Sequence, residues 1–157
     1  METVYIETTI PSFYYEAREE PEMVARRNWT REWWNERGLR DFDLVTSQAV
    51  IDELSRGQFP DRDDALRLVN DLELLPVVAE IEEIVAAYIS HSVMPNDALG
   101  DALHLALASF YGCDYLLTWN CRHLANANKY RHIRRVNTMM DLISPGLVTP
   151  LELLQGD

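Results

Sequence analysis

The fold class this sequence predicts is α/β, with a largely parallel sheet, on three observations. Short β-prone runs alternate with amphipathic helical stretches along the 157 residues, no tight hairpin signal joins neighbouring strands, and no repeat, low-complexity tract or linker interrupts the alternation. A chain of this length with 47% hydrophobic residues can bury one core, so one domain over residues 1–157 is expected.

Val4-Tyr5-Ile6 is a β-prone run that ends at Glu7-Thr8-Thr9 before Pro11, a strand feeding a loop or a helix start. From Glu20 to Arg37 the spacing of Met23, Val24, Trp29, Trp33 and Trp34 predicts a helix stopped by Gly38, its tryptophans facing the core or a partner. Phe42–Thr46 reads as a second strand, Ser47 as an N-cap, and the helix behind it carries Glu53 and ends near Gly57. A helix over Asp61–Leu72, a strand at Leu75–Val78 and a helix over Glu80–Ser90 follow, the last with Ile81, Ile84, Val85 and Tyr88 on one face. Asn96 or Asp97 can cap a helix reaching about Tyr111, which Gly112 closes, and Asp114–Thr118 is then a buried strand. Beyond Trp119-Asn120 a polar segment leads to a helix from Tyr130 to about Leu142, broken by Pro145-Gly146. Leu147-Val148 is too short to assign, and Thr149-Pro150-Leu151-Glu152 has the capping-box pattern that starts a final short helix.

Glu2, Glu7, Glu16, Glu19 and Glu20 interrupt any secretory leader, and the apolar stretches at Leu99–Tyr111 and Asp114–Trp119 fall short of the about 20 residues that cross a bilayer. A soluble, cytoplasmic protein is expected. Cys113 and Cys121 form neither a redox motif nor a zinc pair and read as two reduced thiols. The net charge of −12 argues against a polyanionic partner if it is spread evenly. It is not: Arg26, Arg27 and Arg31 cluster early, and Arg122, Lys129, Arg131, Arg134 and Arg135 cluster late, with His123 and His132 among them. Each cluster is either a solvated helix face or a local basic surface.

Parallel sheets bind ligands beyond the carboxyl ends of their strands, which singles out Glu7-Thr8-Thr9 and Thr118-Trp119-Asn120. Asp97 and Asp101 stand one helical turn apart and repel each other unless a cation or a cap offsets them. Asp97 fits a cap or a first-turn acid, whereas Asp101 lies either on an exposed stripe or toward a cleft. Asp101 together with Glu7 and Asn120 suggests an oxygen-rich site, the donor type of hard cations such as Mg²⁺ or Mn²⁺. His104, one turn from Asp101, either supports such a site or is structural.

Tyr5-Ile6-Glu7-Thr8-Thr9, Val50-Ile51-Asp52-Glu53-Leu54, Gly100-Asp101-Ala102-Leu103-His104 and Leu116-Leu117-Thr118-Trp119-Asn120 resemble, in order and spacing, the four signatures of PIN-domain proteins. The nearest subgroup is the VapC-like toxins of bacterial type II toxin–antitoxin pairs, whose ending Thr149-Pro150-Leu151-Glu152-Leu153-Leu154 also resembles. The resemblance implies a three-layer α/β/α sandwich, Mg²⁺ or Mn²⁺ on Glu7, Glu53, Asp101 and Asn120 with Asp97 as a further candidate, and hydrolysis of RNA phosphodiesters. A bound cation would acidify a water for attack on phosphorus and steady charge on the phosphate oxygens. Thr8, Thr9, Thr118 and His104 would orient the ligands, and Arg122, Lys129, Arg131, Arg134 and Arg135 would hold flanking phosphates. A small antitoxin partner and a homodimer are implied as well. The family's first acid is usually aspartate where this chain has Glu7, and its fourth is often aspartate where this chain has Asn120. Two other readings keep the fold: a non-cutting PIN-like module that binds protein or nucleic acid, and a metal nuclease acting on DNA.

Overall fold

The structure is a computed structural model and describes residues 1–154, the side chain of Asp97 excepted. Five parallel strands form its central sheet: β1 (Thr3–Ile6), β2 (Asp43–Ser47), β3 (Glu73–Leu75), β4 (Tyr115–Leu117) and β5 (Gly146–Val148), in the spatial order β3-β2-β1-β4-β5. Parallel neighbours need crossovers, and helices supply them: α1 (Thr9–Tyr14), α2 (Pro21–Trp33), α3 (Leu39–Asp41), α4 (Gln48–Arg56), α5 (Arg62–Val69), α6 (Ala79–Ser90), α7 (Leu99–Phe110) and α8 (Tyr130–Met139). The result is the three-layer α/β/α arrangement. Val4, Tyr5 and Ile6 on the central strand are wholly buried, as a parallel strand covered on both faces should be.

Several boundaries differ from the sequence reading, each for a local reason. Gly38 does not stop the second helix, because the chain passes through a π-type turn over Trp34–Gly38 into α3 and turns extended only at Phe42. A Cβ at Gly38 would stand 2.9 Å from the Trp33 ring, so glycine is required there by packing. β3 ends at Leu75 rather than Val78, since Pro76 has no N–H for the ladder. A 3-10 turn over Asn96–Ala98 precedes α7, and Gly112, at φ +66°, closes that helix as expected. Asp141 at φ 58° ends the segment after α8 short of Leu142. Leu147-Val148 is a true edge strand, paired with Leu116 and Leu117. The capping box forms, with Thr149 N donating to Glu152 Oε1 at 3.1 Å, but over the described residues the chain makes a turn there and no helix.

Trp33 and Trp34 belong to the core, while Trp29 is half-buried and stacks on Trp119 at 6.1 Å. Cys113 is buried and Cys121 exposed, and both are free thiols. No helix among the described residues is long and apolar enough to cross a membrane.

Candidate active site

From β1 the chain steps outward through β2 to β3, then returns to β4 on the other side of β1 and steps outward to β5. The crevice beyond the carboxyl ends of β1 and β4 is therefore the topological switch point, where open parallel sheets take ligands. Ile6 pairs with Leu117, and Glu7 N donates to Leu117 O at 3.3 Å, so Glu7 and Thr118 emerge side by side at that crevice.

Glu7 is only 3% exposed. Its Oε1 accepts from Thr9 N at 3.1 Å, from Thr9 Oγ1 and from Thr118 Oγ1 at 2.7 Å. Those hydroxyls accept in turn from Trp119 N at 2.8 Å and Asn120 N at 2.9 Å, which directs their single protons toward the carboxylate. Oε2 makes no hydrogen bond among the described residues. Burial pushes the Glu7 pKa above its ordinary value, against the charge of His104 and the threonine hydrogen bonds.

α4 carries Glu53 and α7 carries His104 to the same place. His104 is wholly buried, with Nε2 2.7 Å from Glu53 Oε1 and Nδ1 2.7 Å from the Tyr5 hydroxyl, itself 2.7 Å from Ser47 Oγ. Burial disfavours the imidazolium, but the hydrogen bond to Glu53 and the charges of Glu7, Glu53 and Asp101 outweigh it and hold the His104 pKa above its ordinary value. Burial likewise opposes the Glu53 carboxylate, yet the bond and charge of His104, with help from Thr8 and Arg56, hold its pKa down. A carboxylate only accepts, so Nε2 carries the proton of that pair. Thr8 Oγ1 is buried near Glu53 and makes no hydrogen bond of ordinary geometry.

Asp101 lies one turn before His104 on α7, half-buried, with no hydrogen bond or ion pair among the described residues. Its charge acts on His104 from one side and on Lys129 from the other; burial holds the Lys129 pKa below its usual range. The Asp97 side chain lies outside the described residues. Asn120 stands beside the crevice, and its Oδ1 accepts from Arg122 N at 3.2 Å and His123 N at 3.0 Å, capping the turn that follows. The late basic residues separate. Lys129 sits at the rim near Asp101 and Arg122 on the Asn120 turn, whereas Arg131, Arg134 and Arg135 line a groove along α8.

Sequence reading missed Tyr5, whose hydroxyl holds the second nitrogen of His104, and Ser47, which holds Tyr5. Tyr5 was legible in principle, since residues two apart on a strand share a face and Tyr5 lies two before Glu7. Ser47 stands at the N-cap position of α4, as the sequence predicts, but its hydroxyl is spent on Tyr5.

The family model for the PIN domain matches residues 4–129. The chain belongs to the PIN-domain family. PIN domains are generally metal-dependent nucleases, and the match takes in Glu7, Glu53, Asp101 and Asn120 while ending before α8 and β5. No curated protein and no solved structure compared with this PIN domain matches it.

The donors at the switch point fit a divalent cation in kind. They are oxygens, the class that hard cations take; Glu7 Oε2 and the Asp101 carboxylate are unengaged among the described residues, and the Thr8 hydroxyl is a buried polar atom without a partner. No three His, Cys, Asp or Glu side chains among the described residues converge closely enough to chelate an ion unaided. Waters would have to complete the shell, as they usually do for Mg²⁺.

Proposed function

We propose that this PIN domain is a metal-dependent endoribonuclease that hydrolyses RNA phosphodiester bonds with Glu7, Glu53 and Asp101 holding Mg²⁺ or Mn²⁺. The observation that carries the reading is the Glu53 carboxylate bonded to the buried His104 at the switch point of the sheet, with Glu7 and Asp101 near enough for their charges to act on that histidine. Left without a cation, Glu7 sits in a place that disfavours its charge, and the chain offsets this with His104, two threonine hydroxyls and the Thr9 N–H. A divalent cation bound there supplies the acidity that readies a water and the positive charge that offsets the phosphate oxygens.

The protein's own groups do the positioning. Thr9 and Thr118 fix Glu7 through Oε1 and leave Oε2 to the crevice. His104 keeps Glu53 ionised and fixes its rotamer, and Tyr5 and Ser47 fix His104. The water oxygen bonds to phosphorus as one P–O ester bond breaks, and the departing oxygen takes up a proton. Lys129 and Arg122 stand at the rim for the adjoining phosphates.

In the full form of this reading the chain is the toxin of a type II toxin–antitoxin pair, a cytoplasmic homodimer restrained by a small antitoxin. A short neighbouring reading frame whose product blocks cleavage, and a dimer by light scattering, are the expected findings. One observation favours a non-cutting binding module instead: the Asn120 oxygen is committed to its turn.

The deciding experiment is cleavage of a pool of single-stranded and structured RNA in Mn²⁺, Mg²⁺ and EDTA, with Asp101→Ala as control and single-stranded DNA as alternative substrate. Metal-dependent cutting of RNA, lost in the variant, is expected. A folded protein that cuts neither polymer and binds Mn²⁺ no better than Asp101→Ala is a binding module, and preferential cutting of DNA reassigns the substrate.

A further inference from the structure

We propose that the outer face of α8 is a second nucleic-acid contact, a track for the sugar–phosphate chain of an RNA strand leading away from the acidic crevice; this rests on the RNA reading above. Arg131, Arg134, Arg135 and Thr138 recur at helical spacing on one exposed face. With Tyr130 and Met139 they line an open groove of about 770 Å³ that contains no carboxylate.

The charge of this groove runs against that of the chain as a whole, which holds 26 Asp and Glu against 14 Lys and Arg. Arg18, Arg26, Arg37, Arg40, Arg62 and Arg67 each pair with an acid, whereas none of the α8 arginines makes an ion pair among the described residues. Arginines three and four apart on one helix repel each other, a cost that nothing else in the groove offsets and that a polyanion would.

The chemistry of the groove favours a nucleic acid over an acidic protein. Guanidinium forks match phosphate oxygens two at a time. The Tyr130 hydroxyl donates to Leu147 O at 2.7 Å, which fixes the ring as a rigid aromatic wall on which a base can stack. Lys129, which feels the charge of Asp101, immediately precedes Tyr130. From there to Arg135 is about 9 Å along the axis at about 1.5 Å per residue. Arg131, Arg134 and Arg135 lie beyond the residues 4–129 that the family model matches.

The test is binding of a fluorescent 16-nucleotide RNA in EDTA, where it is not cut, by wild-type protein and by the triple variant Arg131→Ala, Arg134→Ala, Arg135→Ala, across a salt series. Alanine preserves the helix, and an unchanged melting curve checks the fold. Affinity is expected to fall at least about tenfold, and the slope of log K against log salt to shrink by about 2, three contacts at about 0.7 each on a single strand. Equal affinity and slope in the two proteins would overturn the proposal. So would displacement of the RNA by polyglutamate as readily as by unlabelled RNA at equal charge, which would make the groove a site for an acidic protein. RNA bound through the arginines but cut under no metal condition would overturn the ribonuclease reading and uphold the track.

Discussion

His104 Nε2 lies 2.7 Å from Glu53 Oε1, and the pair shifts in opposite senses, the imidazole above its ordinary 6.5 and the carboxyl below its ordinary 4.5. Each partner favours the charged form of the other, in a place where burial alone would neutralise both. The histidine that sequence inspection could read only as a support or a core residue is therefore the counter-ion around which the acids assemble.

This pair should leave a mark on stability against pH. A histidine with a raised folded pKa stabilises fully below 6.5 and loses that contribution as pH rises through the folded value. A glutamate with a lowered folded pKa stabilises above 4.5 and loses its contribution as pH falls through the folded value. The raised pKa of Glu7 adds a further loss on the alkaline side. Thermal melts in EDTA should thus peak in mildly acidic solution, and His104→Gln should lower the melting temperature and flatten the fall above the peak. An unchanged profile in the variant would show that the pair does not govern stability.

Thr118→Val keeps the shape of a wholly buried side chain but removes one donor to Glu7 and one acceptor for Asn120 N. Leaving those groups unpaired should cost about 1–3 kcal/mol in urea unfolding. Loss of a group that orients a metal ligand should weaken Mn²⁺ binding or cleavage by about 10–100-fold. A variant that loses stability but binds Mn²⁺ like wild type would confine Thr118 to a structural role.

The fold was readable because its signals are local. Four strands and the long helices follow from alternating apolar runs and from punctuation such as Gly57, Gly112 and Pro145. β5 escaped because three residues carry no periodicity, and pairing with Leu116 and Leu117 is what makes Gly146–Val148 a strand. At the site, Glu7 and Thr118 were legible as strand-end residues. Whether Asp101 faces a cleft could not be decided within α7, because the charges that meet with its own come from elsewhere in the chain: Glu7 after β1, Glu53 on α4 and Lys129 before α8. The same holds for Asn120: its place beside the crevice followed from the sequence, but its cap on the next turn is a matter of backbone conformation.

That cap separates Asn120 from the three acids. Asn120→Ala should destabilise by about 1 kcal/mol through the lost turn acceptor, with a smaller loss of Mn²⁺ affinity than Asp101→Ala. Asn120→Asp keeps an acceptor for Arg122 N and His123 N and adds a charge, so it should retain stability and tighten Mn²⁺ binding. Calorimetric titration of the three variants checks this; an Asn120→Ala protein as deficient in metal as Asp101→Ala would make Asn120 a ligand in full.

Metal should also stabilise the fold, since the carboxylates converge only when the chain is folded. At a concentration about 100 times the dissociation constant, a ligand of the native state adds about 2.7 kcal/mol, so Mg²⁺ or Mn²⁺ should raise the melting temperature by several degrees over EDTA. The alkaline loss traced above should shrink at the same time, because a cation beside Glu7 takes over the role of His104 as counter-ion. Asp101→Ala should abolish most of the gain while leaving the EDTA melt close to wild type, Asp101 being half-buried and without a hydrogen bond among the described residues. Equal metal-induced shifts in both proteins would place the cation elsewhere, and the assignment of Asp101 would fall with them.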